Sequence, residues 1–135
     1  MYFLRKLKEF EVNSTILKLF YASVIESVAI FAIIVWFKGA TASDVKQLDR
    51  LQRTAERIIG SQVDSCDDVY NTRVLKKAKA IMSDASHPLN MCFELLPSGR
   101  RLRTVACRTK RHAESFIPYS VILHNSSNRL GSNCV

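Results

Sequence analysis

The chain lacks every arrangement of residues from which the common catalytic and metal centres are built. Its three histidines, His87, His112 and His124, have no Cys, Asp or Glu at ligand spacing, and there is no HxD pair of the kind iron dioxygenases use. It contains no Walker loop, no GxGxxG turn and no nucleophile elbow. Asp64, Asp67 and Asp68 do cluster, but as a helix cap and not around an apolar pocket. These absences exclude a complete enzyme on sequence grounds, and no cofactor is expected.

Paired cysteines are also missing. Cys66, Cys92, Cys107 and Cys134 are widely and irregularly spaced, with no CxxC, which suits neither a zinc site nor a disulfide framework. The expectation is reduced thiols in an intracellular protein, nuclear or cytoplasmic. A long uncharged run is absent too. A membrane-spanning helix needs about 20 apolar residues, whereas Lys18 and Glu26 interrupt the most apolar stretch and leave only residues 27–37 free of charge. A central Glu would cost about 2 to 3 kcal/mol on insertion. That stretch therefore reads as a core helix, with anchoring through 14–37 as the alternative. It starts too late for a secretory signal and has no small-residue cleavage site.

What the chain does have is one strongly apolar segment and a surplus of positive charge. From Asn13 to Lys38, the residues Leu17, Phe20, Tyr21, Val24, Val28, Phe31, Ala32, Val35 and Trp36 recur at steps of three and four, the spacing of one helical face. Asn13 to Thr15 offer its cap and Gly39 its end. Ahead of it, residues 2–10 read as a short basic amphipathic helix with Phe3, Leu7 and Phe10 one turn apart, joined to the long helix by a tight αα-hairpin. The net charge of +8 over 135 residues, with a pI near 9.6, favours a polyanionic partner, nucleic acid before acidic membrane. A merely soluble basic surface is the alternative. At this length, folding buries roughly two thirds of the unfolded chain's surface, enough for one domain with a real core.

Further along, Ser43 is an N-cap candidate with Asp44 in the first turn, and Val45, Leu48, Leu51, Ala55, Ile58 and Ile59 form a stripe that Gly60 closes. The alternating charges opposite that stripe read as solvated surface. A fourth stripe, Val69, Tyr70, Val74, Leu75, Ala78 and Ile81, has Arg73, Lys76, Lys77 and Lys79 opposite, and no acid falls between Asn71 and Met82. Residues 84–88 (DASHP) break it, because the residue before proline avoids helical geometry. His87, beside that proline, is expected in a loop or capping role. Leu89 to Leu96 can make a last short helix before the Pro97-Ser98-Gly99 turn.

Then Arg100, Arg101, Arg103, Arg108, Lys110 and Arg111 bring six cations into twelve residues, with no acid before Glu114. Leu102, Val105 and Cys107 alternate among them, so this is a strand or extended arm suited to phosphate contact, or else a disordered basic tail. Residues 116–123 are apolar and expected to pack back on the helices. The fold expected is all-α, a small bundle of four to five helices with a basic, partly extended C-terminal arm: 1–97 the bundle, 98–125 the arm and packing segment, and 126–135 a flexible tail. The expected phosphate contacts are the six cations from Arg100 to Arg111 first, then Arg73, Lys76, Lys77 and Lys79, and then Arg5, Lys6 and Lys8.

Taken together, YFLRKLKEF (2–10), FYASVIESV (20–28), the VW pair at 35–36, LDRLQRTAERIIG (48–60), DDVYNTRVLKKAKAIMSDASHPLN (67–90), FELLPSGRRLR (93–103) and RTKRHAESFIPYSVILHN (108–125) resemble the C-terminal end of the reverse transcriptase of LINE-type, non-LTR retrotransposons. The resemblance implies a helical region at or beyond the polymerase thumb, where template and primer are gripped. Its implied partners are RNA or an RNA–DNA duplex and a polymerase palm. The family's palm aspartates (F/YxDD) and endonuclease lie outside these residues, and Met1 stands where the family runs on from the palm, which makes a truncated copy the expectation. Phe37-Lys38-Gly39 departs from the aromatic-Gly-Asn of many relatives. The first forty residues also resemble the N-terminal family of AlkB homologue eight, a tRNA-modifying dioxygenase and methyltransferase. That resemblance implies iron, 2-oxoglutarate or methyl-transfer chemistry, for which the chain has no ligands or nucleotide loop.

Overall fold

Between Phe10 and Asn13 the chain reverses: Glu11 takes a left-handed conformation at φ 56°, and Asn13 then caps a new helix, its Oδ1 accepting from the Thr15 N–H at 2.9 Å. Helix α1 (Tyr2–Glu9) precedes it and α2 (Ser14–Phe20) follows. In the computed structural model, which describes residues 1–130 and side chains as far as Ser127, the chain is all-α, as the spacing of its apolar residues requires. It divides into two compact units, Met1–Val69 and Tyr70–Val135.

In the first unit α1 buries Leu4 and partly buries Leu7, while Phe3 and Phe10 point to solvent, so the expected Phe3–Leu7–Phe10 face is not the packed one. Leu4 meets Leu17, Tyr21, Ala55 and Ile59 in a core to which Leu51 and Ile58 add their sides. Each fully buried side chain of this size contributes about 1.5 to 3 kcal/mol.

The apolar segment is not one helix. After α2 it widens into a π-helical turn, Tyr21–Glu26, continues as α3 (Ser27–Ala29), breaks, and resumes as α4 (Ile33–Trp36) and a 3₁₀ turn, Phe37–Gly39. Two local causes are visible. Ser23 and Ser27 donate their hydroxyls to the Leu19 and Ser23 carbonyls at 2.7 and 2.6 Å, competition that bends helices. Ala32 sits at φ 49°, a left-handed conformation that ends the helical ladder. The Trp36 Nε1–H then donates to the Phe31 carbonyl at 2.7 Å, close to the break. The two halves meet at 42°.

The extra residue in the π turn shifts the register. Leu17 and Tyr21 are buried as expected, but beyond them the buried residues are Ile30, Ile33 and Phe37. Val28, Phe31 and Val35, from the expected stripe, are 76%, 77% and 85% exposed, and Val24 is also exposed. Among the described residues no single helix is long and apolar enough to cross a membrane; the bent pair Ser14–Ala29 and Ile33–Gly39 has the length and composition only when taken together.

Helix α5 (Ala42–Ile59) starts two residues earlier than Ser43 would place it. Thr41 is the cap, because Thr41 and Asp44 form a reciprocal box: the Asp44 N–H donates to Thr41 Oγ1 at 3.3 Å and the Thr41 N–H to the Asp44 carboxylate at 3.1 Å. The Thr41 hydroxyl, donating to the Asp44 carboxylate at 2.7 Å, and then the Thr41 N–H hold that carboxyl below its ordinary pKa. Gly60 ends the helix at φ 80°, as the sequence indicates. Gln52 and Glu56 then hold the following loop by bonds to the Val63 carbonyl and N–H, at 3.1 and 3.2 Å.

Helix α6 (Cys66–Ser83) begins where Ser65, beside the acidic cluster, accepts from the Asp68 N–H at 3.1 Å, and the unit boundary falls within it. Its stripe Tyr70, Val74, Ala78 and Ile81 is buried as the periodicity requires. His87 takes the expected local role, accepting from the Leu89 N–H at 3.1 Å. The expected helix over Leu89–Leu96 does not form: a single 3₁₀ turn, Asn90–Cys92, is followed by a hairpin. Asn90 donates to the Ile81 and Met82 carbonyls at 3.0 and 3.2 Å, so backbone groups at the end of α6 are satisfied from outside the helix.

Past the hairpin the chain has no regular secondary structure until Thr109, which caps α7 (Lys110–Ala113), and α8 (Phe116–Leu130) follows. Val121 of α8, with Phe116 and Ile117 beside it, closes a second core over Ala78, Ile81, Phe93 and Leu102. The helix thus includes the first residues of the segment expected as a tail; residues 131–135, with Cys134, lie outside those described.

Candidate nucleic-acid interface

The charge of the chain is divided as sharply as its fold. The first unit has nine Lys or Arg and nine Asp or Glu, while the second has eleven against three, so the whole net charge of +8 belongs to the second. An exposed surface of this kind gains from polyanions by releasing their condensed counterions.

Three elements of the second unit present the cations. On α6, Lys76, Lys77 and Lys79 are exposed opposite the buried stripe and Arg73 is half-buried. The hairpin presents Arg100, Arg101 and Arg103, all exposed. It forms because Pro97-Ser98-Gly99 makes a tight turn, with Gly99 at φ 67°, a conformation costly for any residue with a Cβ. Leu95 then pairs antiparallel with Leu102, the Leu96 N–H donates to the Arg101 carbonyl and the Arg103 N–H to the Glu94 carbonyl, both at 2.8 Å. Arg108, Lys110 and Arg111 lie exposed at the bend before α7 and in its first turn, where the Thr109 hydroxyl accepts from the His112 N–H at 3.2 Å. Glu94 and Glu114 take Arg103 at 3.2 Å and Lys110 at 3.7 Å, exposed pairs worth little to stability. Arg5, Lys6 and Lys8 belong to the charge-balanced first unit, with Lys6 paired to Glu9 at 2.6 Å.

The hairpin and α8 enclose an open groove of about 400 Å³ whose walls include Arg101, Arg103, Thr104, Leu96, Ile122 and Ser126. Of these, only the two arginines stand out in the sequence. Asn125, which builds the groove's wall, bonds to Leu102 across 23 residues, and no local pattern signals it. Burial, followed by Asp49, Asp67 and Glu26, pushes the Cys66 thiol up, which keeps it protonated and a poor nucleophile. Tyr21 and Tyr70 are each pushed up to about 12, mainly by burial. Among the described residues, no group of three or more His, Cys, Asp or Glu side chains is placed to hold a metal ion.

Compared with known families, residues 1–27 match the model described as Alkylated DNA repair protein alkB homolog 8, N-terminal. The match covers α1, α2 and the whole π turn, all in the first unit, and none of the basic elements of the second. No curated protein and no solved structure matches the chain.

Proposed function

We propose that the chain is a non-catalytic nucleic-acid-binding module, related to the region beyond the palm of a non-LTR retrotransposon reverse transcriptase, that contacts phosphates through its second unit. The observation that carries this is the segregation of the entire net charge into Tyr70–Val135. The arginines Arg100, Arg101, Arg103, Arg108 and Arg111, with Lys110, are the principal contacts, and Arg73, Lys76, Lys77 and Lys79 extend the surface. The family resemblance of FELLPSGRRLR and RTKRHAESFIPYSVILHN supports the same surface, since both segments supply it. Titrating the affinity for an RNA–DNA duplex against salt tests the proposal. Six phosphate contacts give a log–log slope of about −5, and a flat dependence ends it.

A second reading is favoured by the match over residues 1–27. In it the first unit is an AlkB homologue 8 N-terminal-like packing module with no activity of its own. The exposed apolar residues Leu19, Val28, Phe31 and Val35 would then lie against a neighbouring domain of a nucleic-acid-modifying protein or of a polymerase. Under that reading the isolated chain melts broadly or aggregates, whereas the phosphate-binding reading requires a cooperative melt and a salt-dependent complex.

A further inference from the structure

Positive charge alone does not discriminate between double-stranded and single-stranded nucleic acid, but the groove beside the hairpin does. A duplex turns its phosphates outward and keeps its bases stacked inside, so a surface built for it has no use for apolar side chains among its arginines. The groove has them. Leu96 is 39% and Ile122 51% exposed, both beside Arg101 and Arg103.

We infer that the groove between the 94–103 hairpin and α8 receives one unstacked nucleotide of a single-stranded nucleic acid, an inference that rests on the phosphate-binding reading of the second unit. The base lies on Leu96 and Ile122, removing apolar surface from water. Arg101 and Arg103 take the flanking phosphates, and a guanidinium plane can also stack on a base. The volume of about 400 Å³ falls in the range of roughly 300 to 1,000 Å³ typical of sites for small ligands.

The groove is preformed. Asn125 spends its amide on the Leu102 backbone, at 2.9 and 3.0 Å, which fixes the distance between hairpin and helix and leaves recognition of the base edge to its neighbours. The Ser126 hydroxyl donates to the Ile122 carbonyl at 2.9 Å, so its oxygen remains an acceptor, and Thr104 offers a second hydroxyl.

The test uses the whole chain and fluorescence anisotropy with labelled oligouridine, labelled oligothymidine and a blunt RNA–DNA duplex of equal phosphate number. A single strand is expected to bind at least about fivefold tighter than the duplex. Leu96→Ser with Ile122→Ser is expected to remove that advantage and leave duplex affinity unchanged. Equal affinity for strand and duplex, unaltered by the variant, overturns the inference while the phosphate-binding reading stands. No binding of any probe overturns both. Crosslinking needs no variant: a 4-thiouridine strand irradiated on the native chain is expected to label the peptides carrying Leu96 or Ile122. Labels confined to α6 or α7 overturn the inference.

Discussion

The side chain of Asn125 holds both backbone groups of Leu102: its Oδ1 accepts from the N–H at 2.9 Å and its Nδ2 donates to the carbonyl at 3.0 Å. Asn125 thereby does for the hairpin what a third strand would do. Leu102 is buried, so its backbone groups have no water to turn to if the amide is lost. Asn125→Ala is expected to cost about 2 kcal/mol or more, since two buried polar groups are left unpaired. Denaturant melts read the loss. Hydrogen exchange localises it, with the Leu102 amide losing protection before those of α5. An unchanged Leu102 exchange rate would refute the clasp.

The register of the apolar segment makes the second prediction. Ile33 is fully buried and Val35, two residues on, is 85% exposed. Ile33→Ala should therefore cost about 2 to 5 kcal/mol, as a large-to-small change in a core does, whereas Val35→Ser should alter stability by less than about 0.5 kcal/mol. The continuous helix drawn from spacing alone predicts the opposite order. Chemical denaturation of the two variants decides between them.

Alkaline titration gives the third. Tyr21 and Tyr70 are raised to about 12 from an ordinary value of 10.0, in each case chiefly by burial. Their stabilising effect is fully present below the unfolded-state value and is lost as pH rises through the folded one, because the unfolded chain releases the phenolic protons first. Stability should fall between about pH 10 and about pH 12. While the chain stays folded, phenolate absorbance from these two side chains should lag behind that of exposed tyrosines. Tyr21→Phe and Tyr70→Phe are each expected to flatten part of that fall, followed by ultraviolet absorbance and circular dichroism on one sample.

Much of this architecture is written locally. Asn13 as a cap, Gly60 as a stop, the Tyr70–Val74–Ala78–Ile81 stripe and the Pro97-Ser98-Gly99 turn each need only neighbours in sequence, and each is legible there. The features that were not legible depend on geometry summed over several residues or on distant partners. The π turn adds one residue to a repeat and carries every later side chain to another face, which is why Phe31 and Val35 point to solvent in place of Ile30 and Ile33. Thr41 displaces Ser43 as a cap because only Thr41 stands three residues before Asp44. FELL, apolar enough for a helix, opens a hairpin because Asn125 and the second core hold its partner residue Leu102.

The candidate interface divides in the same way. Each cation that forms it can be read from the sequence, Arg101 and Arg103 included. Its confinement to one unit becomes visible only with the boundary inside α6, and the apolar floor at Ile122 only once α8 lies against the hairpin. The exposed pairs Arg103–Glu94 and Lys110–Glu114 contribute little energy, so exchanging their carboxylates for phosphates costs little.

The account stands most directly on where the charge acts, and one comparison measures it. Arg101, Arg103 and Arg108 changed together to Gln remove three cations from the second unit; Arg50, Arg53 and Arg57 changed together to Gln remove three exposed cations from α5 of the first. The salt dependence of nucleic-acid affinity is then compared for the two variants and the native chain. The predicted result is a log–log slope shallower by about 2 to 3 for the second-unit variant, at roughly one unit or slightly less per phosphate contact, and an unaltered slope for the other. Equal changes in both variants, or a native affinity indifferent to salt, would contradict it.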